Sequence, residues 1–214
     1  MRARLVALSW VPDDWEQLVR STEIPSDVDP NDAYLVLQTL VGAWPLTRGR
    51  LDAYLEKALR EGKLRSNWLE PDERYERAVQ EFAWEQHERV RPFVERIDPI
   101  GRAIALDQTL LKLTCPGVAD IYQGDERWSF NLVDPDNRRP VEWDAPGDEK
   151  TALVRAVLAE GIEGEYEPVD AGPDVCAFTR GGRHLAAMPL RAGATFEPPA
   201  GWIPVVRGFW RKSA

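Results

Sequence analysis

Apolar and polar positions through the first half of the chain recur with a helical period. Leu5, Leu8 and Trp10 precede Pro12. The acids Asp13 and Asp14 then suit the first turn of a short helix over DDWEQLVR, where carboxylates face the positive end of the helix dipole. Asn31 or Asp32 is expected to cap the next helix, whose apolar positions Tyr34, Leu35, Leu37, Val41 and Trp44 run to Pro45. LDAYLEKAL places Leu51, Tyr54, Leu55, Ala58 and Leu59 on one amphipathic stripe. Pro71 opens a further helix with Tyr75, Val79, Phe82 and Ala83 on a common face, and Asp98-Pro99 is expected to restart the helix before the apolar run AIALDQTLLKL.

The period changes at Thr114–Gly117. VADIY, residues 118–122, reads as a short strand, and GDEKTALVRAVLAEG beyond Pro146-Gly147 reads as one more helix. From about residue 165 onward the chain turns to short extended runs: YEPVD, VCAFTR, HLAAMPL and WIPVVRGFW. Gly181-Gly182 separates two of them as a tight hairpin turn does. The pattern predicts an α+β chain, mostly helical first and ending in a small antiparallel β module.

At 214 residues with a 43% apolar share, the chain can bury a core in one large domain or two smaller ones. A net charge of −9 speaks against nucleic acid and against an anionic membrane surface, because both need basic residues. No apolar run approaches the ~20 residues of a membrane helix. Pro12, Asp13 and Asp14 interrupt the opening MRARLVALSW too early for a signal peptide, so the expected location is cytoplasmic. Cys115, Cys176, His87 and His184 lack zinc-like spacing, and no metal is expected. His87, among Glu85, Glu88 and Arg89, reads as solvated. The nine tryptophans either pack a core or stack on sugar rings.

Chemistry concentrates in residues 116–143, PGVADIYQGDERWSFNLVDPDNRRPVEW. Tyr122, Gln123, Asp125 and Glu126 stand at the carboxyl end of the expected strand, where parallel α/β folds build their sites. Asp134, Asp136 and Asn137 are turn formers, and Arg138 and Arg139 carry forked donors for carboxylates or vicinal hydroxyls. Residue types alone describe a polar, carbohydrate-compatible loop, or a loop that satisfies itself by salt bridges. No pair of acids stands out as the buried dyad of a glycosidase, and there is no nucleophile elbow, P-loop or dinucleotide fingerprint.

Pro116, Gly117, Tyr122, Gly124 and Glu126 resemble the last barrel strand of the α-amylase superfamily, Pro-Gly-x-x-x-x-Tyr-x-Gly-x-Glu. The longer run through DPDNRRPVEW is similar to the maltooligosyl trehalose synthase family. RARLVALSWVPDDW, QTLVGAWP at 38–45 and KALREGKLRSNWLEPDERYERAV at 57–79 resemble that family in the same order. The resemblance implies isomerisation of the reducing-end α-1,4 link of a maltooligosaccharide into the α,α-1,1 link of trehalose, by carboxylates alone and without a cofactor. It implies a helical subdomain and late barrel helices over 1–110. The last strand of an incomplete (β/α)8 barrel, the DPDNRRP loop and a helix follow over 111–162, with a small antiparallel β-sandwich over 163–214.

The family's three catalytic acids fall on earlier strands, the last just upstream of the match to Arg2-Ala3-Arg4-Leu5. The expectation is therefore that no catalytic residue lies in this chain and that it is inactive alone. The implied substrate contacts are Tyr122, Gln123, Glu126, Asp134, Asp136, Asn137, Arg138 and Arg139, with Lys63 and Trp68 from a Lys-x-x-x-x-Trp element. There Ser66-Asn67 replaces the family's usual Thr-Ser. The implied partners are a maltooligosaccharide and either an N-terminal barrel portion or a second copy of the chain. A non-catalytic glucan-binding module and an inactive remnant are the rival readings.

Overall fold

A computed structural model describes residues 1–213, which fold as two compact units: residues 1–102 with 130–140, and residues 103–129 with 141–213.

The first unit is helical. Helices α1 (Arg2–Leu8), α2 (Pro12–Arg20), α3 (Pro30–Ala43), α4 (Arg48–Gly62) and α5 (Glu73–His87), with the opening turns of α6 (Arg91–Thr114), enclose one apolar core. Helix α3 is central, with Val36, Leu37, Leu40 and Val41 almost completely buried. Its cap is Asp29 rather than the expected Asn31 or Asp32. The Asp29 carboxylate accepts from the Asn31 amide at 2.9 Å, and Pro30 opens the helix where a missing N–H costs nothing. Asp32 instead accepts from the Tyr75 hydroxyl. The stripe on α4 is as predicted, with Leu51, Leu55 and Leu59 buried.

Two other expectations change. Pro99 does not restart a helix; it lies inside α6, which runs unbroken from Arg91 to Thr114. His87 is buried, stacked on Trp84 at 4.9 Å between centroids. Charged sequence neighbours hid the fact that its own side chain turns inward.

In the second unit the later turns of α6 and helix α7 (Glu149–Ala159) cover a sheet of five strands. These are β1 (Tyr166–Val169), β2 (Val175–Arg180), β3 (His184–Pro189), β4 (Trp202–Val206) and β5 (Phe209–Lys212). The order is β1-β2-β3-β5-β4 and every pairing is antiparallel. Gly181 and Gly182 take positive φ in the β2–β3 turn, as their pairing in sequence predicts.

The expected sandwich is a single sheet. Leu106, Leu110, Leu153 and Val157 close one face over Phe178, Ala186, Met188 and Phe209, which removes the need for a second sheet. Ala194 and Phe196 pack on the opposite face against Ala177 and Ala187. Both edge strands carry a proline, Pro168 and Pro204, which withholds the N–H that a further strand needs.

The expected strand at 118–122 does not form among the described residues. The stretch keeps a strand's alternation, with Val118, Asp120 and Tyr122 exposed while Ala119 and Ile121 turn toward the core of this unit. It lies outside the ladder. A parallel barrel strand takes its hydrogen bonds from neighbours on both edges, and no described residue supplies them.

Candidate functional site

The predicted site residues fall into three groups. Tyr122, Gln123 and Glu126 lie in the second unit, and Asp134 to Arg139, Lys63 and Trp68 in the first.

The 122–128 segment is a tight turn. The Tyr122 carbonyl accepts from the Asp125 amide at 2.8 Å, which needs consecutive positive φ angles of 35° at Gln123 and 85° at Gly124. Gly124 is required twice over, since a Cβ there would meet Val141 Cγ1 at 2.7 Å. Helix α7 holds the turn from its N-terminus. The Lys150 ammonium lies 3.3 Å from Asp125, Thr151 donates from its hydroxyl to the Glu126 carbonyl at 3.0 Å, and Asp148 accepts from the Trp128 amide at 2.7 Å. Asp148 also caps α7 through the Thr151 amide. Burial alone raises the Asp148 pKa, but the amides of Trp128 and Thr151 outweigh it and hold the carboxyl below the usual aspartate range. Lys112 lies 3.6 Å from Asp125 on its other oxygen. Tyr122 itself stands exposed.

The DPDNRRP segment docks on α4. Asp136, inside a single 3-10 turn (Asp136–Arg138), is gripped by Arg50 through Nε to Oδ1 and Nη2 to Oδ2, each at 2.8 Å. Its Oδ2 also accepts from the Leu132 amide at 2.8 Å, and Arg139 Nε lies 3.1 Å from Oδ1. Burial pushes the Asp136 pKa up, while Arg50, the Leu132 amide and Arg139 together pull it below the usual range. Lys57 donates to the Asp134 carbonyl at 2.7 Å, and Arg138 pairs with the Asp134 carboxylate. Arg50 and Lys57 are two turns apart on α4, so one helix face reaches both acids of the loop. Asn137 and Arg138 face solvent.

Lys63 and Trp68 sit at the far end of α4. Lys63 closes the helix in a left-handed conformation (φ 56°), and the Arg60 guanidinium lies 5.0 Å from the centroid of the half-exposed Trp68 ring. Arg60 is fixed by two bonds of 2.8 Å to Glu76. Ser66 and Asn67 build the turn between them. Ser66 donates to Glu76 at 2.5 Å and accepts from the Asp72 amide, and Asn67 accepts from the amides of Leu69 and Glu70.

Arg50, Lys57, Asp148, Lys150 and Thr151 were not singled out from the sequence. A usable signal existed for two of them: Arg50 and Lys57 stand seven positions apart and so share one face of the predicted helix.

No protein-family model matches the chain. Relatives from two strains of Mycobacterium tuberculosis carry the provisional name maltooligosyl trehalose synthase. They are 34% identical across 88% of this chain, which spans 29% of their length. The solved maltooligosyltrehalose synthase of Arthrobacter ramosus is 32% identical over 88% of this chain and 29% of its own, with a TM-score of 0.78. A hypothetical maltooligosyl trehalose synthase of Sulfolobus tokodaii superposes with a TM-score of 0.85 at 30% identity, over 99% of this chain and 35% of its own. The chain thus spans about a third of the proteins it matches.

Proposed function

Since the chain belongs to the maltooligosyl trehalose synthase family and corresponds to a C-terminal portion of its members, we propose that it supplies substrate-shaping loops and no catalytic acid. In this reading the family reaction converts the reducing-end α-1,4 link of a maltooligosaccharide to an α,α-1,1 link. Carboxylates outside residues 1–214 perform it. Tyr122, Gln123 and Glu126, the 134–139 loop, and Lys63 with Trp68 border the terminal glucose while it turns over. The 118–122 stretch is the last barrel strand, completed by a portion of barrel supplied by the rest of such an enzyme.

One observation carries the non-catalytic part. Every acid of the two loops is already engaged by a cation of the chain: Asp125 by Lys112 and Lys150, Asp134 by Arg138 and Lys57, and Asp136 by Arg50 and Arg139. Even Glu126 has Arg127 at 3.8 Å. A glycosyl-transfer nucleophile or acid must be free to face the anomeric carbon or the leaving oxygen, and these are spent on holding loops. The test is incubation with maltopentaose, following reducing ends. Unchanged reducing ends support the reading, and a non-reducing, trehalose-ended product from the chain alone overturns it.

A further inference from the structure

Between the first turns of α4 and the 133–139 segment runs a groove of about 240 Å3, bordered by Gly49, Ala53, Tyr54, Val133, Pro135 and Arg139. It lies wholly within the helical unit. We infer that this groove is a subsite for one neutral sugar ring of a maltooligosaccharide, with Tyr54 and Arg139 as its polar contacts and Gly49 as the residue that keeps it open. The inference rests on the glucan-contacting reading of the same loop and gives it a place.

Three features point the same way. The acid on the wall, Asp136, is neutralised by Arg50 and Arg139, so the groove offers no free anion for a cationic ligand. Two polar groups on its border remain without a partner among the described residues: the Tyr54 hydroxyl and Arg139 Nη1, the latter left over after Nε bonds to the Asp136 carbonyl and Nη2 to Asn131. A donor–acceptor hydroxyl and one guanidinium N–H beside aliphatic and aromatic surface suit a pyranose, which has hydroxyls at its rim and C–H groups on its faces. Gly49 is the third feature. It stands in the first turn of α4 without a positive φ that would call for glycine, and a Cβ here would meet nothing within 4 Å. Packing does not ask for glycine at this position; an unobstructed groove does.

The experiment is titration of the full chain, labelled with 15N, with maltotriose, reading amide shifts. Shifts are expected at residues 49–54 and 133–139. Gly49→Leu should not lower the thermal midpoint, since leucine is a better helix former than glycine and the position is exposed, while weakening affinity about tenfold or more by filling the groove. Tyr54→Phe, which keeps the ring, should weaken it several-fold through one lost hydrogen bond. A purely structural role for Gly49 cannot lower affinity while stability is kept or raised. Shifts confined to Trp68 or to Tyr122 would overturn the groove while leaving glucan contact standing. No shifts anywhere would overturn both. Shifts in the groove with inorganic phosphate but not with maltotriose would make it an anion site and overturn the inference.

Discussion

Arg50 and Asp136, 86 positions apart in the chain, meet through two parallel hydrogen bonds of 2.8 Å each. Both side chains are largely buried, at 18% and 7% exposure. A forked guanidinium on a carboxylate fixes direction as well as distance, so the whole 130–140 segment takes its orientation from one helix residue. Removing Arg50 leaves the carboxylate buried with only the Leu132 amide and the more exposed Arg139. Arg50→Ala should therefore destabilise the helical unit by roughly 3 kcal/mol, the lower end of the cost of breaking a buried pair. Urea unfolding followed by helical circular dichroism measures it. A loss below about 0.5 kcal/mol, the range of ordinary surface substitutions, would show that the pair does not hold the loop.

The same pair predicts a pH dependence. Asp136 is depressed in the folded chain, so it binds protons more weakly there than when unfolded. Its contribution is fully present above the ordinary aspartate pKa and is lost as pH falls through the lower folded value. The stability gap between the parent chain and Arg50→Ala should be constant from neutral pH down to about pH 5 and close progressively below about pH 4. A gap that widens on acidification contradicts the assignment.

Asp148 links α7 to the 122–128 turn by serving two amides, its own cap at Thr151 and Trp128 across the loop. Asp148→Ala should cost about 1–2 kcal/mol as a lost N-cap and should speed hydrogen exchange at the Trp128 amide. Asp148→Asn should recover most of the cap. Unchanged exchange at Trp128 would mean that α7 does not position the turn.

Gly124→Ala combines a left-handed backbone with a collision at Val141, whereas Gly161, at φ 58°, has open space around it. The first substitution should cost about 1–3 kcal/mol through strain, and clearly more than Gly161→Ala. Equal thermal midpoints for the two variants would contradict the tight-turn geometry.

Much of this was legible in the sequence because it depends on local rules. The Leu51–Leu55–Leu59 stripe, the hairpin at Gly181-Gly182 and the acids at the start of α2 follow from period, φ freedom and the helix dipole, none of which needs a distant partner. Long-range chemistry escaped. Asp134 and Asp136 read as acids of a loop that either meets a ligand or satisfies itself by salt bridges, and only the folded chain names their partners on α4, Lys57 and Arg50. Pro99 read as a break because a proline removes one helical bond, and the burial of Ile97 and Ile104 on either side sustains the helix through it. VADIY read as a strand from its alternation, which is real, but a strand also needs neighbours.

That last difference gives a prediction of its own. With no ladder, the amides of 118–122 should exchange rapidly in the isolated chain, and they should slow once a barrel portion pairs with them. Strong protection throughout 118–122 in the monomeric chain alone would contradict the proposed incomplete strand.

In the proposed function this chain shapes a substrate site whose chemistry lies elsewhere. The direct measurement is reducing-end loss from maltopentaose, with the chain alone and with a chimera in which it replaces the matched 29% of the Arthrobacter ramosus enzyme. The chimera should isomerise the sugar and the chain alone should leave it unchanged. Isomerisation by the chain alone, or a folded chimera that neither binds nor converts the sugar, would contradict the claim.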